Sequence, residues 1–530
     1  MKTTYKFLPA VAALAFLGSC NDLDTEPMGG TVTSEQKEQV VANDPSMAEA
    51  SVNAIPTMTK QYCGVLQNSS YQNDFGWPAS MLFLDSRTAD IPATTSGYNW
   101  FGTALDYSDK TATSQATRYM WGTNYNMIYS CNEVLKGIDP DTDNATLQYY
   151  MAQALGYRAW AYFNLAQSYQ FTYVGNQDKP CVPIITEENS DQAAVDGAPR
   201  ATVEEVYAQI MSDLNKCVNL LKNSGHIKPS DRLAKQFFNA SSATGLRARV
   251  NLVMNNWSDA ATDAKYVIDN SGCVPYSIAD VSKPSFWDAS DSSWLLAICI
   301  ESGEVGNLHC WPGHFVTFYA GGYAQVGVYR MINKALFENI PASDVRKGWW
   351  CDANGESPNV DAAHAAVLYS YFDSKAEAAY INVKFDTYQS MFSGICYLND
   401  IPLMRIEEMY YTYAEATAMA GGDGASILNS FVQTYRNPSY SFSGSGQTVQ
   451  DECWMQRRIE LWGEGLAYFD LQRLKKPVDR VGGGYEPSVV FNIPADSPLR
   501  IYLIPQTEMQ SNPAIGANNE EGSIPTPIVE

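Results

Sequence analysis

The run ECWMQRRIELWGEGLAYFDLQRLKKP, residues 452–477, admits few structures. Met455, Ile459, Trp462, Leu466 and Phe469 follow one another at +4, +3, +4 and +3, which places all five on one stripe of an α-helix. The spacing therefore predicts a buried helix. Its other face carries Arg457, Arg458, Glu460, Glu464, Asp470 and Arg473, where opposite charges three or four apart can pair along the helix. Gly463 and Gly465 each cost roughly 1 kcal/mol relative to alanine inside a helix, so another backbone is expected to approach closely there. Lys475 and Lys476 suit the negative C-terminal end of a helix, and Pro477 stops it.

Glu460 and Glu464, one turn apart, also suit the acid/base pair of a glycoside hydrolase, but the neighbouring arginines would neutralise both. No GxSxG, HExxH, Walker loop or strand-preceded GxGxxG accompanies them. Instead, QRRIELWGEGLAYFDLQR resembles the C-terminal signature of SusD-like (RagB/SusD) proteins, whose pattern runs ERR-x-EL-x-x-EG-x-R-x-x-DL-x-R. Gln456 stands for the leading acid and Ala467 for the inner arginine; the rest matches. The resemblance extends to GYRAWAYFNLAQSY, GLRARVNLVMNNWSDAATDAKYVI, the segment ending in Asp344 and Arg346, the helix pair over 401–437 and the tail IYLIPQTEMQSNPAI. It implies a mostly α fold, a tetratricopeptide-like helical repeat scaffold with large irregular loop and short-strand insertions. It also implies a non-enzymatic, cell-surface glycan-binding lipoprotein that hands oligosaccharide to a SusC-like TonB-dependent transporter in the outer membrane.

The N-terminus reads as an export signal. Lys2 and Lys6 precede LPAVAALAFL, an apolar core too short to span a bilayer permanently, and LGSC resembles a lipobox ending at Cys20. Residues 1–19 are thus expected to be removed and Cys20 acylated, with 20–45 a polar, lipid-anchored tether. The acidic NDLDTE after Cys20 resembles the tag that directs such lipoproteins to the outer face of the outer membrane.

One domain is expected over 46–530, with helical repeats at about 46–62, 115–270 and 401–475 and ligand-binding insertions at about 63–114 and 275–400. Residues 115–138 and 144–171 read as an antiparallel pair across the turn DPDTDN, and large and small apolar residues alternate by turn in ALGYRAWAYFNLAQSY as in tetratricopeptide repeats. Thr202 and Glu205 predict a capping box. WLLAICI (294–300) and YINVKF (380–385) read as strands, and 401–420 as a helix with Pro402 in its first turn.

A net charge of −23 and pI near 4.6 exclude a nucleic-acid partner and disfavour an anionic ligand unless a basic pocket exists locally. None of the cysteines after Cys20 has zinc spacing and the four histidines are scattered, so no metal or other cofactor is expected. Cys131 and Cys217 read as buried thiols, while Cys299 and Cys310 lie close enough in sequence to pair. The 33 tyrosines and 12 tryptophans instead point to aromatic surface.

Sugars offer apolar C–H faces edged with hydroxyls, so a glycan site needs aromatic platforms beside amides, carboxylates or arginines. Tyr98, Asn99 and Trp100 supply such a group in the first insertion, with Asp85 and Arg87 nearby, although these two also suit a mutual ion pair. In the second, NLHCWPGHFVTFYAGGYAQVGVYR (307–330) presents Trp311, Tyr319 and Tyr323 among glycines. Phe83, Phe101 and Phe315 read as core. A surface glycoside hydrolase and a peptide-capturing lipoprotein are the competing readings.

Overall fold

A computed structural model describes residues 34–60, 72–95 and 97–529. The expected signal, Cys20 and much of the tether lie outside these residues, as do 63–71 and Ser96 of the first insertion. No described helix is long and apolar enough to cross a membrane.

The chain is mostly helical. Its principal helices are α1 (Ser34–Asn43), α2 (Ser46–Thr57), α3 (Trp77–Ser86), α4 (Gln115–Leu135), α5 (Ala145–Tyr169), α6 (Val203–Asn223), α7 (Ala240–Val253), α8 (Trp257–Asn270), α9 (Ile406–Met419), α10 (Gly424–Tyr435), α11 (Gln447–Glu460) and α12 (Ala467–Arg473). From α4 to α10 each helix packs on the next, and α11 packs on α9, the stacking expected of a helical repeat wall. Each turn has a local cause. Ser114 and Asn144 cap α4 and α5 through their side chains, Thr202 and Glu205 form the expected capping box on α6, and Asn255 takes a left-handed φ of 61° between α7 and α8. Buried or half-buried arginines then tie neighbouring helices: Arg158 to Asp213 (2.8 Å), Arg247 to Asp263 (2.7 Å) and Arg249 to Glu408 (2.6 Å).

Helices α8 and α9 are packed neighbours although residues 271–405 separate them in sequence. The second insertion therefore leaves and re-enters the wall at one place. Strand β1 (Trp294–Ile298) pairs antiparallel with β2 (Ile401–Arg405), closing its neck. This corrects the expected helix at 401: Pro402 sits opposite Ala297 in β2, and the helix begins at Ile406. The expected strand at 380–385 is reduced to isolated bridges, Met331 with Ile381, Trp350 with Asn382 and Ser285 with Phe385.

The run at 452–477 is also not one helix. Helix α11 stops at Glu460, a turn follows and α12 starts at Ala467, because Gly463 and Gly465 take left-handed φ of 78° and 74°. Both are also crowded: a Cβ on Gly463 would lie 2.5 Å from the Phe315 ring, and one on Gly465 2.6 Å from Met81. The break turns Glu460 and Glu464 inward rather than along a solvated face. Asp344, Glu407, Glu460 and Glu464 meet Arg346, Lys384, Arg405 and Arg436 in a buried knot of four carboxylates and four cations. Likewise Arg457 pairs across the turn with Asp470 (2.7 Å) and Arg458 reaches Asp90 (2.5 Å). Such burial removes Glu460 and Glu464 from any hydrolytic role.

Cys131 and Cys217 are buried thiols as expected, and Cys299 and Cys310 are both free.

Candidate functional site

The two insertions meet. Tyr98, 59% exposed, lies with its ring centroid 6.5 Å from that of Tyr323, and Tyr323 stacks at 4.2 Å on His314. His314 stacks in turn on Phe75 at 5.3 Å and takes the edge of Phe101 at 5.2 Å. Burial, with Arg330 adding to it, holds the His314 imidazole down to about 3, so the ring is neutral and behaves as an aromatic spacer. Tyr98 is thus the exposed end of an aromatic stack rooted in the core.

Asn99 fastens this stack to the loop that carries Tyr323. Its Nδ2 donates to the Thr94 carbonyl (2.5 Å), while Oδ1 accepts from Phe101 N (3.2 Å) and Arg330 Nη2 (3.0 Å). Trp100 is half-buried against the core, with its indole Nε1–H directed to the Tyr323 hydroxyl. The structure therefore brings together Tyr98, Asn99, Trp100 and Tyr323, four of the residues singled out in the sequence.

Of these Tyr98 is exposed, Asn99 and Trp100 are half-buried and Tyr323 is buried; the other four residues do not join this cluster. Trp311 is buried, stacked at 4.7 Å on Phe315 with the Phe385 ring edge-on at 4.9 Å. Tyr319 is buried with its hydroxyl donating to Asn307, close to Cys310 and Cys396. Asp85 accepts from Gly465 N (3.2 Å), and Arg87 pairs with Asp109, donates to the Leu499 carbonyl (2.9 Å) and covers the Tyr502 ring at 4.2 Å. A mutual Asp85–Arg87 pair is absent because residues two apart at a helix end point in different directions. All four are buried in the interior.

Two members of the site carried no clear signal in the sequence: His314, which lacked a partner in register, and Arg330, the lone cation closing the glycine and aromatic run. Asp85 shows how dry the region behind them is, since burial pushes its carboxyl from 3.8 up to about 8. The unfolded chain loses that proton above about 4 while the folded chain keeps it, so this residue lowers stability as pH rises from 4 to 8. Asp85→Asn is expected to raise the melting temperature at pH 7–8 and leave it little changed at pH 4. Parallel pH profiles for the two proteins would contradict this assignment.

A separate cleft of about 620 Å³ opens elsewhere in the second insertion, lined by Trp287, Lys283, Asp280, Asp361, His364 and Asp386 among others. It contains none of the eight residues chosen from the sequence.

Comparison with known proteins adds the following. A SusD-like family model described as "Starch-binding associating with outer membrane" matches residues 42–252, and the SusD family model matches residues 354–520. No curated protein sequence matches. Among solved structures, a SusD-like carbohydrate binding protein from Bacteroides vulgatus is 23% identical, with a TM-score of 0.72 over 89% of this chain and 97% of its own. A SusD superfamily protein from Bacteroides thetaiotaomicron is 22% identical, with a TM-score of 0.70 over 90% and 99%. Surface glycan-binding protein A from Bacteroides thetaiotaomicron, in complex with laminarihexaose, is 17% identical, with a TM-score of 0.65 over 89% and 99%. At these identities the likeness speaks for the fold.

Proposed function

Because the chain belongs to the SusD-like family, we propose that it captures glycan at the cell surface and delivers it to a SusC-like TonB-dependent transporter. In this reading it is anchored through acylated Cys20 to the outer membrane and faces the exterior. The family model's association with the outer membrane and the laminarihexaose held by one structural relative support it. The observation that carries it is the convergence of Tyr98, Asn99, Trp100 and Tyr323 from two insertions, with Tyr98 presented to solvent on a rigid aromatic stack.

Binding, not bond cleavage, is the role assigned. The sugar face lies on Tyr98 while Asn99 and its neighbours meet the hydroxyls, and affinity accumulates over several sugar units. Tyr98→Ala is expected to weaken binding of a glycan identified on an array by about 1–3 kcal/mol, measured by isothermal titration. Trp311→Ala should act on stability instead, since its ring is interior. If Trp287→Ala abolishes binding and Tyr98→Ala does not, the site is the 620 Å³ cleft. New reducing ends on incubation with polysaccharide, or selection of peptides over glycans, would each overturn the reading itself.

A further inference from the structure

A cleft of about 450 Å³ lies where the C-terminal ends of α5 and α12 come together, and no residue of the Tyr98 cluster lines it. Phe171 and Thr172 follow α5, Lys179 lies on the loop beyond them, Lys475 follows α12, and Asp496 comes from the C-terminal segment. Phe171 is half-buried and both lysines are exposed. Lys475 takes a left-handed φ of 50° just past its helix, a place that glycine fills more readily, and its Nζ would lie 3.6 Å from a Cβ on Gly175, so it stands over the loop that carries Lys179. The adjacent Lys476 pairs with Asp451 (2.9 Å), whereas among the described residues Lys179 and Lys475 have no carboxylate within ion-pair distance. Two lysines against the single carboxylate of Asp496 make the lining positive in a chain whose net charge is −23.

Thr172 points to a ligand independently of these charges. It is 4% exposed and lines the cleft, yet its hydroxyl has no hydrogen-bond partner. Its carbonyl accepts from Asn176 Nδ2 (2.9 Å), which fixes the residue in place. A buried hydroxyl without a partner is unfavourable, and an oxygen brought into the cleft would satisfy it. The volume falls within the ordinary range of small-ligand sites, about 300–1,000 Å³. Phe171 asks for an apolar face, Thr172 for an oxygen and the lysines for a negative charge, and a sugar ring bearing a carboxylate has all three. We propose that this cleft is a separate binding site for a sugar acid. The ring lies on Phe171, a ring hydroxyl meets Thr172 Oγ1, and Lys179 and Lys475 hold the carboxylate. These lysines are the local basic feature that an anionic ligand of so acidic a chain requires.

The site stands apart from the Tyr98 platform, and titration keeps the two apart. The probes are the methyl glycosides of glucuronate and galacturonate, with those of glucose and galactose as their neutral counterparts, titrated against the whole protein by saturation-transfer NMR. One acid is expected to bind about tenfold more tightly than its neutral counterpart at low salt, with a gap that narrows as salt is added. Lys179→Gln combined with Lys475→Gln should erase the gap. Thr172→Val should weaken binding of the acid about two- to tenfold without lowering the melting temperature, since its hydroxyl holds nothing within the protein. Tyr98→Ala should leave the acid's affinity unchanged, and thermal melting of every variant checks that it is folded. Acid and neutral probes binding equally, a gap that survives the double lysine variant, or failure of both acids to bind would overturn the proposal. Loss of acid binding in Tyr98→Ala would place the acid on the platform, overturning this site and leaving glycan capture standing. Glycan capture that survives Tyr98→Ala, beside acid binding lost in the double lysine variant, would overturn the platform and support this site.

Discussion

Glu460→Gln is expected to leave the protein largely unfolded at 37 °C. The carboxylate is fully buried and meets Arg436 at 2.7 Å, Arg346 at 3.3 Å and Arg405 at 3.3 Å. Burial alone would favour the neutral acid, but Arg436, with Arg405 and Arg346, overrides it and holds the carboxyl well below its ordinary 4.5. Removing this charge leaves four cations facing three carboxylates in a dry interior, a loss of about 3–5 kcal/mol. Domains are stable by only about 5–15 kcal/mol in all. Urea unfolding followed by circular dichroism at pH 7 is the measurement, and a wild-type midpoint would show that the charge is dispensable. The pH dependence has a definite sign. The folded pKa is depressed, so the contribution is complete above about 4.5 and is lost as pH falls below it toward the folded value.

Trp462→Ala should be almost as damaging, at about 3–5 kcal/mol. The ring is 1% exposed and lies edge-on to Phe315 at 5.3 Å and Trp350 at 5.4 Å, so it joins the turn after α11 to two parts of the second insertion. Its Nε1 donates to the Asp90 carbonyl (2.9 Å) in the first insertion, and its own carbonyl accepts from Lys384. Trp462→Phe keeps the packing and loses the bond to Asp90, so it should fall between wild type and Trp462→Ala. A loss below about 1 kcal/mol for the alanine variant would mean that the cavity collapses freely and the contact is not central.

The wall of helices was legible because α4 to α7 carry side-chain caps and the helices keep a 3.6-residue apolar period. Period does not report φ, however, and residues 455–469 keep their helical spacing across a break made by Gly463 and Gly465. Pro402 misled for a related reason: a proline before EEMYYTYAEA suits the first turn of a helix as well as it suits a short strand. In the insertions, local composition pointed to Tyr98, Asn99, Trp100 and Tyr323, which the structure places together. Trp311 has the same kind of glycine and proline neighbours but lies beneath Phe315 and Phe385, since flanking residues say nothing about depth. Arg330 and His314 gain their meaning only where 98–101 meets 314–330, an encounter between distant segments that no local pattern encodes.

The charge knot also limits how the proposed binding surface can move. Asp344, Arg346 and Lys384 belong to the second insertion, whereas Arg405, Glu407, Arg436, Glu460 and Glu464 belong to β2, the helices and their ends. With the β1–β2 neck closed as well, no hinge is left at the root of the insertion. Parting it from the wall would expose unpaired charges, so the aromatic platform and the helices travel as one rigid body. In the proposed role, any opening and closing over a transporter must then pivot where the whole domain meets its partner, and a ligand held at Tyr98 keeps its geometry throughout the stroke.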